Sequence, residues 1–299
     1  MCETLDSIFF IMLFCCCVFQ STQEIGKSVV EVYGPVPGLD PSPYYSVQVR
    51  ELGSSSWLSP FTFLTECTSN KFCNTTGAFE LLQNWSNSYV NFEMLDNVSV
   101  EVKITKLFGD PVTKAVVRPE SSAVSCLMKD DGDIYVVINK PGLFTVDING
   151  QMDDQYTGRD PTTGDIYQGP PIHTITIFAN PFISKPSQAD PEVYLVHPGD
   201  EAPTDGYWDT LFFMPGVHDV GVEFTIHANK SYYIPGNAVV FGTFTGDEAE
   251  DGDNIHIYGH GTLSQDKIPH PKYSDYPPED PKDYDKYKDM HKCKELLLC

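Results

Sequence analysis

The chain has 299 residues, with 41% hydrophobic and 12% aromatic side chains, which is too apolar for a disordered protein and enough for two domains with separate cores. Its 42 acidic residues outnumber its 19 lysines and arginines, and the net charge of −23 disfavours binding to nucleic acids or anionic membranes. This balance suits a soluble protein that acts on neutral sugars.

Residues 1–25 have the features of a secretory signal peptide. Residues 8–19 (IFFIMLFCCCVF) form an apolar run of the usual length, followed by the polar residues QSTQE. The run is shorter than the ~20 residues that cross a bilayer, and no other segment is long enough. Glu3 and Asp6 stand where a leader usually carries Lys or Arg, so a buried strand or a misassigned start is the alternative. We predict a secreted, extracellular protein.

Five cysteines lie outside the leader, at positions 67, 73, 126, 293 and 299. Cys67 and Cys73 are close in sequence, and an extracellular location favours a disulfide between them. The alternative is that either one pairs with Cys126. No histidine or second CxxC motif stands nearby at zinc-ligand spacing, and no metal site is predicted.

Four Asn-x-Ser/Thr sequons support the same compartment. They begin at Asn74, Asn84, Asn97 and Asn229. The first three crowd into one polar stretch that is typical of an exposed insertion. We predict N-glycosylation at these four asparagines.

Residues 26–168 are predicted to form an antiparallel β-sandwich. The segments 44–51, 97–105, 133–139 and 143–150 alternate apolar with polar residues and are separated by Gly- and Pro-containing turns. Residues 152–171 are almost free of apolar residues and are interpreted as a linker or surface loop. The acids and amides at 147, 149, 153 and 154 suggest calcium, but their spacing fails the EF-hand pattern, so a solvated loop is the preferred interpretation.

Residues 169–273 are predicted to form coils of a right-handed parallel β-helix of the pectin-lyase-like kind. Short apolar runs end at Pro-Gly pairs at 198, 215 and 235, which mark corners between strands. Residues 238–243 are apolar or small on both faces, as in buried parallel strands, and strands recur every ~20–25 residues. Residues 274–299 are charged and rich in tyrosine, and are predicted to be an irregular tail. The β-helix is therefore expected to be incomplete at the C-terminus, with further coils missing or a disordered tail in their place.

Four stretches in this order resemble glycoside hydrolase family 49, which contains dextranases and isopullulanases. They are VVRPESSAV (116–124), PGVHDVG (215–221), YYIPGNAVVFGTF (232–244) and IYGHGTLS (257–264). The resemblance runs from about residue 28 to 273 and implies a sandwich followed by a β-helix. It also implies inverting endo-hydrolysis of an α-glucan such as dextran, by aspartates on later coils. No such coils follow residue 273, so no catalytic residue is assigned, and the chain is expected to lack its catalytic aspartates.

A few residues are candidates for binding sugar. Tyr207, Trp208 and Asp266 are the predicted substrate-binding residues, since aromatic rings stack on pyranoses and Asp266 follows the last strand motif. Trp57 and the pair Tyr232–Tyr233 are further aromatic candidates. Burial is the preferred interpretation for all five rings, and Trp208 with Tyr207 is the best candidate for exposure. The acids of the loop 247–253 and the histidines at 218, 256 and 260 are predicted to be solvated and structural, respectively.

The expected ligand is a polysaccharide, with no cofactor, nucleic acid or membrane, and the expected state is a monomer. Two alternatives remain open. One is a non-catalytic glycan-binding or structural module. The other is a polygalacturonase-type pectin hydrolase, although a chain of charge −23 without a Lys/Arg cluster outside the tail would repel polygalacturonate.

Overall fold

The computed structural model describes residues 28–67, 85–121, 123–150, 157–159, 166–168, 173–246, 254–267 and 295–297. These residues form β-strands, turns and irregular segments and contain no helix that could span a membrane. The strands are β1 (Val30–Val32), β2 (Tyr45–Glu51), β3 (Phe63–Cys67), β4 (Trp85–Met94), β5 (Val100–Lys106), β6 (Ala115–Arg118), β7 (Val124–Met128), β8 (Ile134–Ile138), β9 (Gly142–Ile148), β10 (Thr157–Arg159), β11 (Ile166–Gln168), β12 (Thr174–Pro181), β13 (Val193–Val196), β14 (Thr210–Phe213), β15 (Gly216–Ile226), β16 (Ser231–Tyr233), β17 (Ala238–Gly246), β18 (His256–Tyr258), β19 (Thr262–Ser264) and β20 (Glu295–Leu297).

The first half is a two-sheet sandwich. Sheet A has the order β1-β4-β12-β9-β6, with β3 also pairing with β4, and sheet B has the order β2-β5-β8-β7. The period-2 patterns place one apolar side-chain set of each sheet between the two sheets. In sheet B that set includes Val49, Val102 and Val136, all fully buried, and in sheet A it includes Phe92 and Ile177. The predicted sandwich is confirmed, and its core lies between these two sheets.

The predicted boundary between the two halves at residue 168 is wrong. Strand β12, which the sequence pattern assigned to the coils, lies inside sheet A, parallel to β4 and antiparallel to β9. Its central position buries both faces, and this produces the continuous apolar run TITIFA that also marks a coil strand. The predicted linker 152–171 likewise contains a small antiparallel hairpin of β10 and β11.

The second half winds into parallel coils with two sheets. Sheet C has the order β13-β14-β16-β18, and sheet D the order β15-β17-β19-β20. Pairing within each sheet is parallel from coil to coil: Thr210 pairs with Ser231 and Ser231 with His256, while Gly216 pairs with Ala238. From β14 onward, each coil passes from sheet C through a tight corner into sheet D, and then through a longer loop to the next strand of sheet C, whereas β13 leads directly to β14 within sheet C. The predicted parallel β-helix is confirmed, with the expected repeat length.

The tight corners bring backbone very close to backbone. Gly259, in the left-handed region at φ 119°, lies so near the preceding coil that a Cβ there would be 2.0 Å from the Ile234 carbonyl oxygen. Only glycine fits this approach without displacing the corner. The Gly-His-Gly motif is therefore a packing requirement of the third coil.

The sandwich and the coils are packed against each other. The second face of sheet A carries Phe63, Tyr89 and Phe178, which form one cluster with Val239 of sheet D. Beside this cluster, Asn91 donates from Nδ2 to the carbonyl oxygen of His260 at 2.8 Å. Sheet A is thus covered on both faces, by sheet B and by the coils.

The expectation of an irregular tail over 274–299 is wrong for one short segment. Strand β20 pairs antiparallel with β19, with Leu296 opposite Leu263. A strand at a sheet edge leaves a row of unpaired N–H and C=O groups, and β20 provides partners for those of β19. The rest of the predicted tail beyond residue 267 lies outside the described residues.

Candidate functional site

The predicted substrate-binding residues all lie in the part of the chain that forms the coils, in segments between strands. Tyr207 and Trp208 immediately precede β14, and Asp266 follows β19. Asp266 belongs to the third coil, whereas Tyr207 and Trp208 enter the first, and the three residues flank strands of different sheets. Among the described residues, no hydrogen bond or ion pair joins Tyr207 to Asp266.

Tyr207 and Trp208 have opposite environments, although they are neighbours. The Tyr207 side chain is fully exposed, whereas Trp208 is only 4% exposed and belongs to the core of the coils. The Trp208 ring meets Tyr232 edge-on at 5.9 Å, and its Nε1 donates to the carbonyl oxygen of Asp205 at 3.2 Å. The prediction that Trp208 is exposed for stacking is therefore wrong, because its ring fills the first coil. Tyr207 alone of this pair presents an aromatic face to a ligand.

Asp266 borders a polar stripe that crosses sheet D. The Asp266 side chain is exposed, and its backbone N–H donates to Ser264 Oγ at 3.2 Å. The adjacent Lys267 lies 3.7 Å from an Asp219 carboxylate oxygen and 4.4 Å from the Phe241 ring centroid. A carboxylate, an ammonium group and a ring are thus side by side on an open surface. Such groups can bind sugar hydroxyls and the apolar face of a pyranose.

The buried histidines have structural partners, as predicted. His218 is 2% exposed, and its Nε2 is 2.7 Å from the Met214 carbonyl oxygen. Burial lowers the pKa of His218, which favours the neutral ring. His260 lies in the interface between the sandwich and the coils, whereas His256 is exposed.

The strongest electrostatic feature is an interface charge cluster of Glu93, His260, Lys185, Glu31 and Tyr33. Glu93 is fully buried in β4, with Lys185 Nζ 2.9 Å from Oε2 and His260 Nε2 3.3 Å from Oε1. The same ammonium group lies 2.6 Å from Glu31 Oε1. The cluster therefore links β1 and β4 of the sandwich to the third corner of the coils.

The pKa values in this cluster follow from burial and charge. Burial by itself raises the pKa of Glu93, but hydrogen bonds from His260 and Lys185 outweigh it and hold the pKa below its usual value. Burial raises the pKa of Tyr33, and the nearby Glu93 charge raises it further. Glu93 is thus an ionised structural carboxylate rather than an acid that is ready to donate a proton.

A second buried carboxylate has the same character. Glu101 in β5 accepts hydrogen bonds from Arg50 Nε at 2.8 Å and from Lys129 Nζ at 3.1 Å. Burial raises its pKa, but the hydrogen bonds from the two cations lower it by more. A general acid of a glycosidase needs a raised pKa, so neither Glu93 nor Glu101 has the property that this role requires.

This architecture is shared with a solved structure. Dex49A from Penicillium minioluteum aligns with a TM-score of 0.53 at 19% sequence identity, over 79% of this chain and 54% of that one. This chain is similar in fold to Dex49A. It spans about half of the length of that protein. No family model and no curated protein matches the sequence.

Several predicted features lie outside the described residues. These are the leader, Cys73, Asn74, Asn84 and the acidic loop 247–253. Cys67 ends β3, so the disulfide to Cys73 stays a prediction, while the thiol of Cys126 is free. Asn97 and Asn229 are exposed, as sequons must be. Within the described ranges, no group of three or more His, Cys, Asp or Glu side chains is arranged to hold a metal ion.

The interface charge cluster was not predicted from the sequence. Glu93 is the penultimate residue of β4, a strand whose polar residues alternate with apolar ones, and that pattern is typical of a strand with one face in water. The coils, not water, cover this face. The sequence does indicate that Asn91 and Glu93 share one face of β4 with Tyr89. Their partners on the coils are identified only by the three-dimensional structure.

Proposed function

We propose that this chain is a secreted glycoside hydrolase-like protein that acts on α-glucans in the manner of a dextranase. The observation that carries the proposal is the order of the two folds, a β-sandwich and then parallel coils packed on it, which is shared with Dex49A. The name Dex49A also agrees with the family, glycoside hydrolase family 49, that the sequence motifs resemble.

The proposed reaction is inverting endo-hydrolysis. It needs one carboxylic acid to protonate the leaving oxygen and one carboxylate to activate water, held about 6.5–9.5 Å apart. Glu93 at the interface and Glu101 in sheet B do not provide this pair, because hydrogen bonds from neighbouring side chains lower their pKa values. The proposal therefore assigns substrate contacts to Tyr207 and Asp266 on the coils and assigns no catalytic residue.

A second candidate function is a non-catalytic glycan-binding module. The ion-paired state of the buried carboxylates Glu93 and Glu101 favours it, since a scaffold that only binds sugar needs no acid with a raised pKa. The exposed ring of Tyr207 serves either function equally well.

The experiment that separates the two measures reducing ends released from dextran by the full chain, together with retention on insoluble α-glucan. Release of reducing ends, with the product first appearing as the β-anomer in NMR, supports the hydrolase. Retention without release supports the binding module. Release from polygalacturonate but not from dextran would instead identify a pectin hydrolase and refute the proposal.

The two assigned contacts are tested in the same assays. Tyr207→Ala and Asp266→Asn are expected to raise KM or weaken retention several-fold without changing the unfolding midpoint, because both side chains are exposed. Wild-type behaviour of both variants would remove the coil surface around them as the binding site.

A further inference from the structure

We propose that the sandwich carries a second glycan-binding surface, centred on Trp57 on the outer face of sheet B, for neutral glycans. The surface consists of Trp57 with the charged side chains Arg50, Lys103 and Lys129, and the buried ring of Tyr135 lies beneath it. The choice of a glycan as the ligand rests on the proposed function, whereas the location rests on the contacts that follow.

Trp57 is fixed over the sheet by its loop. The next residue, Leu58, forms an isolated antiparallel bridge with Val49 of β2, with both backbone N–H···O distances at 2.8 Å. The indole therefore lies beside Arg50, whose guanidinium carbon is 4.1 Å from the ring centroid, and 6.3 Å from the ring of Tyr135. Trp57 is half-buried, so part of the indole remains open to a ligand.

The side chains around the indole are held by one another. Tyr135 donates from its hydroxyl to Asp131 at 2.7 Å, and Lys129 Nζ lies 3.3 Å from the Tyr135 ring centroid. Arg50 and Lys129 both donate to Glu101, which fixes them on the sheet. Groups fixed before binding lose little conformational entropy when a ligand arrives. This arrangement of a fixed aromatic ring with polar donors and acceptors beside it suits a sugar.

The charge of the surface selects the class of glycan. The three cations of the surface are balanced by three acidic residues, Glu101, Asp131 and Asp133. Arg50 forms an ion pair with Glu101, and Lys103 Nζ lies 2.7 Å from an Asp133 carboxylate oxygen. The surface is thus locally neutral on a chain of charge −23. A polyanion gains no net attraction there and is repelled by the rest of the chain. The binding of a neutral polyol does not depend on the net charge of the surface. Its hydroxyls can both donate to carboxylates and accept from ammonium groups.

The position of the surface gives it a purpose distinct from that of the coil site. Sheet A separates sheet B from the coils, so Trp57 and Tyr207 lie on different layers of the molecule. A long glucan that contacts both gains from effective concentration, whereas a short oligosaccharide occupies only one. We therefore expect the chain to prefer polymeric over short glucans, and expect this preference to depend on Trp57.

The test compares Trp57→Ala with Tyr207→Ala, which removes an exposed aromatic ring from the coils. Binding of soluble α-glucan to the full chain is measured by titration calorimetry, and retention on insoluble glucan is measured alongside. We expect Trp57→Ala to weaken polymer binding by about tenfold, the loss of one stacked ring. Trp57→Phe should restore most of the binding because a ring remains.

A measurement on the wild-type chain keeps the proposal testable if Trp57→Ala does not fold. N-bromosuccinimide should oxidise Trp57 faster than the buried Trp208, and bound glucan should protect Trp57, as read by peptide mass spectrometry. Unchanged binding of the folded Trp57→Ala variant, or oxidation of Trp57 that glucan does not slow, would overturn the proposal. Binding of polygalacturonate or of a protein through Trp57, with no neutral glycan bound, would overturn it as well.

The outcome for this surface is separable from that for the proposed function. Release of reducing ends with no effect of Trp57→Ala on any glucan leaves the hydrolase in place and removes the second surface. Binding through Trp57 without release of reducing ends keeps the surface and removes the hydrolase.

Discussion

Replacing Glu93 with Gln tests the assignment of the interface charge cluster as the electrostatic link between sandwich and coils. The change keeps the shape of the side chain and removes its charge. It leaves Lys185 with its second partner Glu31 at 2.6 Å, and it leaves His260 with the Pro181 carbonyl oxygen at 3.3 Å. No cation is therefore left without a partner by the substitution.

The expected loss follows from this geometry. Removing one partner of a fully buried ion pair costs about 3–5 kcal/mol when the other charge is left uncompensated. Here Lys185 is about one-third exposed and stays paired with Glu31, so the loss should be smaller, about 2–3 kcal/mol. The matched control is Glu31→Gln, which removes a half-exposed partner of the same lysine and should cost at most about 1 kcal/mol.

The assay is urea unfolding of the full chain followed by tryptophan fluorescence at several pH values. Because the pKa of Glu93 is lowered in the folded chain, its contribution is complete above the usual glutamate value of about 4.3 and is lost as the pH falls through the lowered value. The difference between wild type and Glu93→Gln should therefore be full at pH 7 and shrink below about pH 4. Equal effects of Glu93→Gln and Glu31→Gln at pH 7, or a difference that acid does not change, would refute the cluster as a link.

Three further predictions use the same unfolding assay or a thiol reagent. Gly259→Ala should destabilise by more than about 2 kcal/mol, because its Cβ would overlap a backbone carbonyl of the neighbouring coil, whereas Gly246→Ala, with open space around it, should stay within about 0.5 kcal/mol. Trp208→Ala should cost about 3–5 kcal/mol as a core truncation, and Tyr207→Ala should change stability by less than about 0.5 kcal/mol; similar losses would contradict the assigned burial. Burial raises the pKa of the Cys126 thiol, so a disulfide reagent near pH 8 should label Cys126 slowly until urea unfolds the chain, as read by peptide mass spectrometry, and fast labelling of Cys126 in the native chain would contradict this.

The parallel coils could be predicted because their physical signature is local. Strand β17 is covered on one side by the interior of the coils and on the other by sheet A, so its residues are apolar or small on both faces. The glycine corners recur at the same interval as the strands. Repeat length and two-sided apolar character together were sufficient for the fold of the second half.

The domain boundary could not be predicted, since the same signature has two causes. Strand β12 is apolar on both faces because it lies in the centre of sheet A between β4 and β9. Its parallel neighbour β4 is about 90 residues earlier in the chain, and no local pattern encodes such a pairing. An apolar run indicates how deeply a strand is buried, but it does not indicate which strand pairs with it.

The environments of Trp208 and Glu93 were missed for a related reason. A Gly- and Asp-rich flank around Trp208 is typical of an exposed loop, yet the loop folds its tryptophan into the first coil. Polar alternation in β4 is typical of a face in water, yet the coils cover it. In both cases the local sequence reports the chemistry of the side chain correctly and cannot report what the rest of the chain places against it.

The polar face of β4 indicates why the two halves are packed as they are. Asn91 donates from Nδ2 to the backbone carbonyls of Gly236 and His260, which belong to successive corners of the coils. These carbonyls are buried at the interface, where a missing partner would cost about 1–3 kcal/mol each. An apolar face in place of Asn91 and Glu93 would leave the corners without these contacts. The sandwich therefore supplies polar partners as well as apolar cover, and its outer sheet is left as the surface that Trp57 occupies.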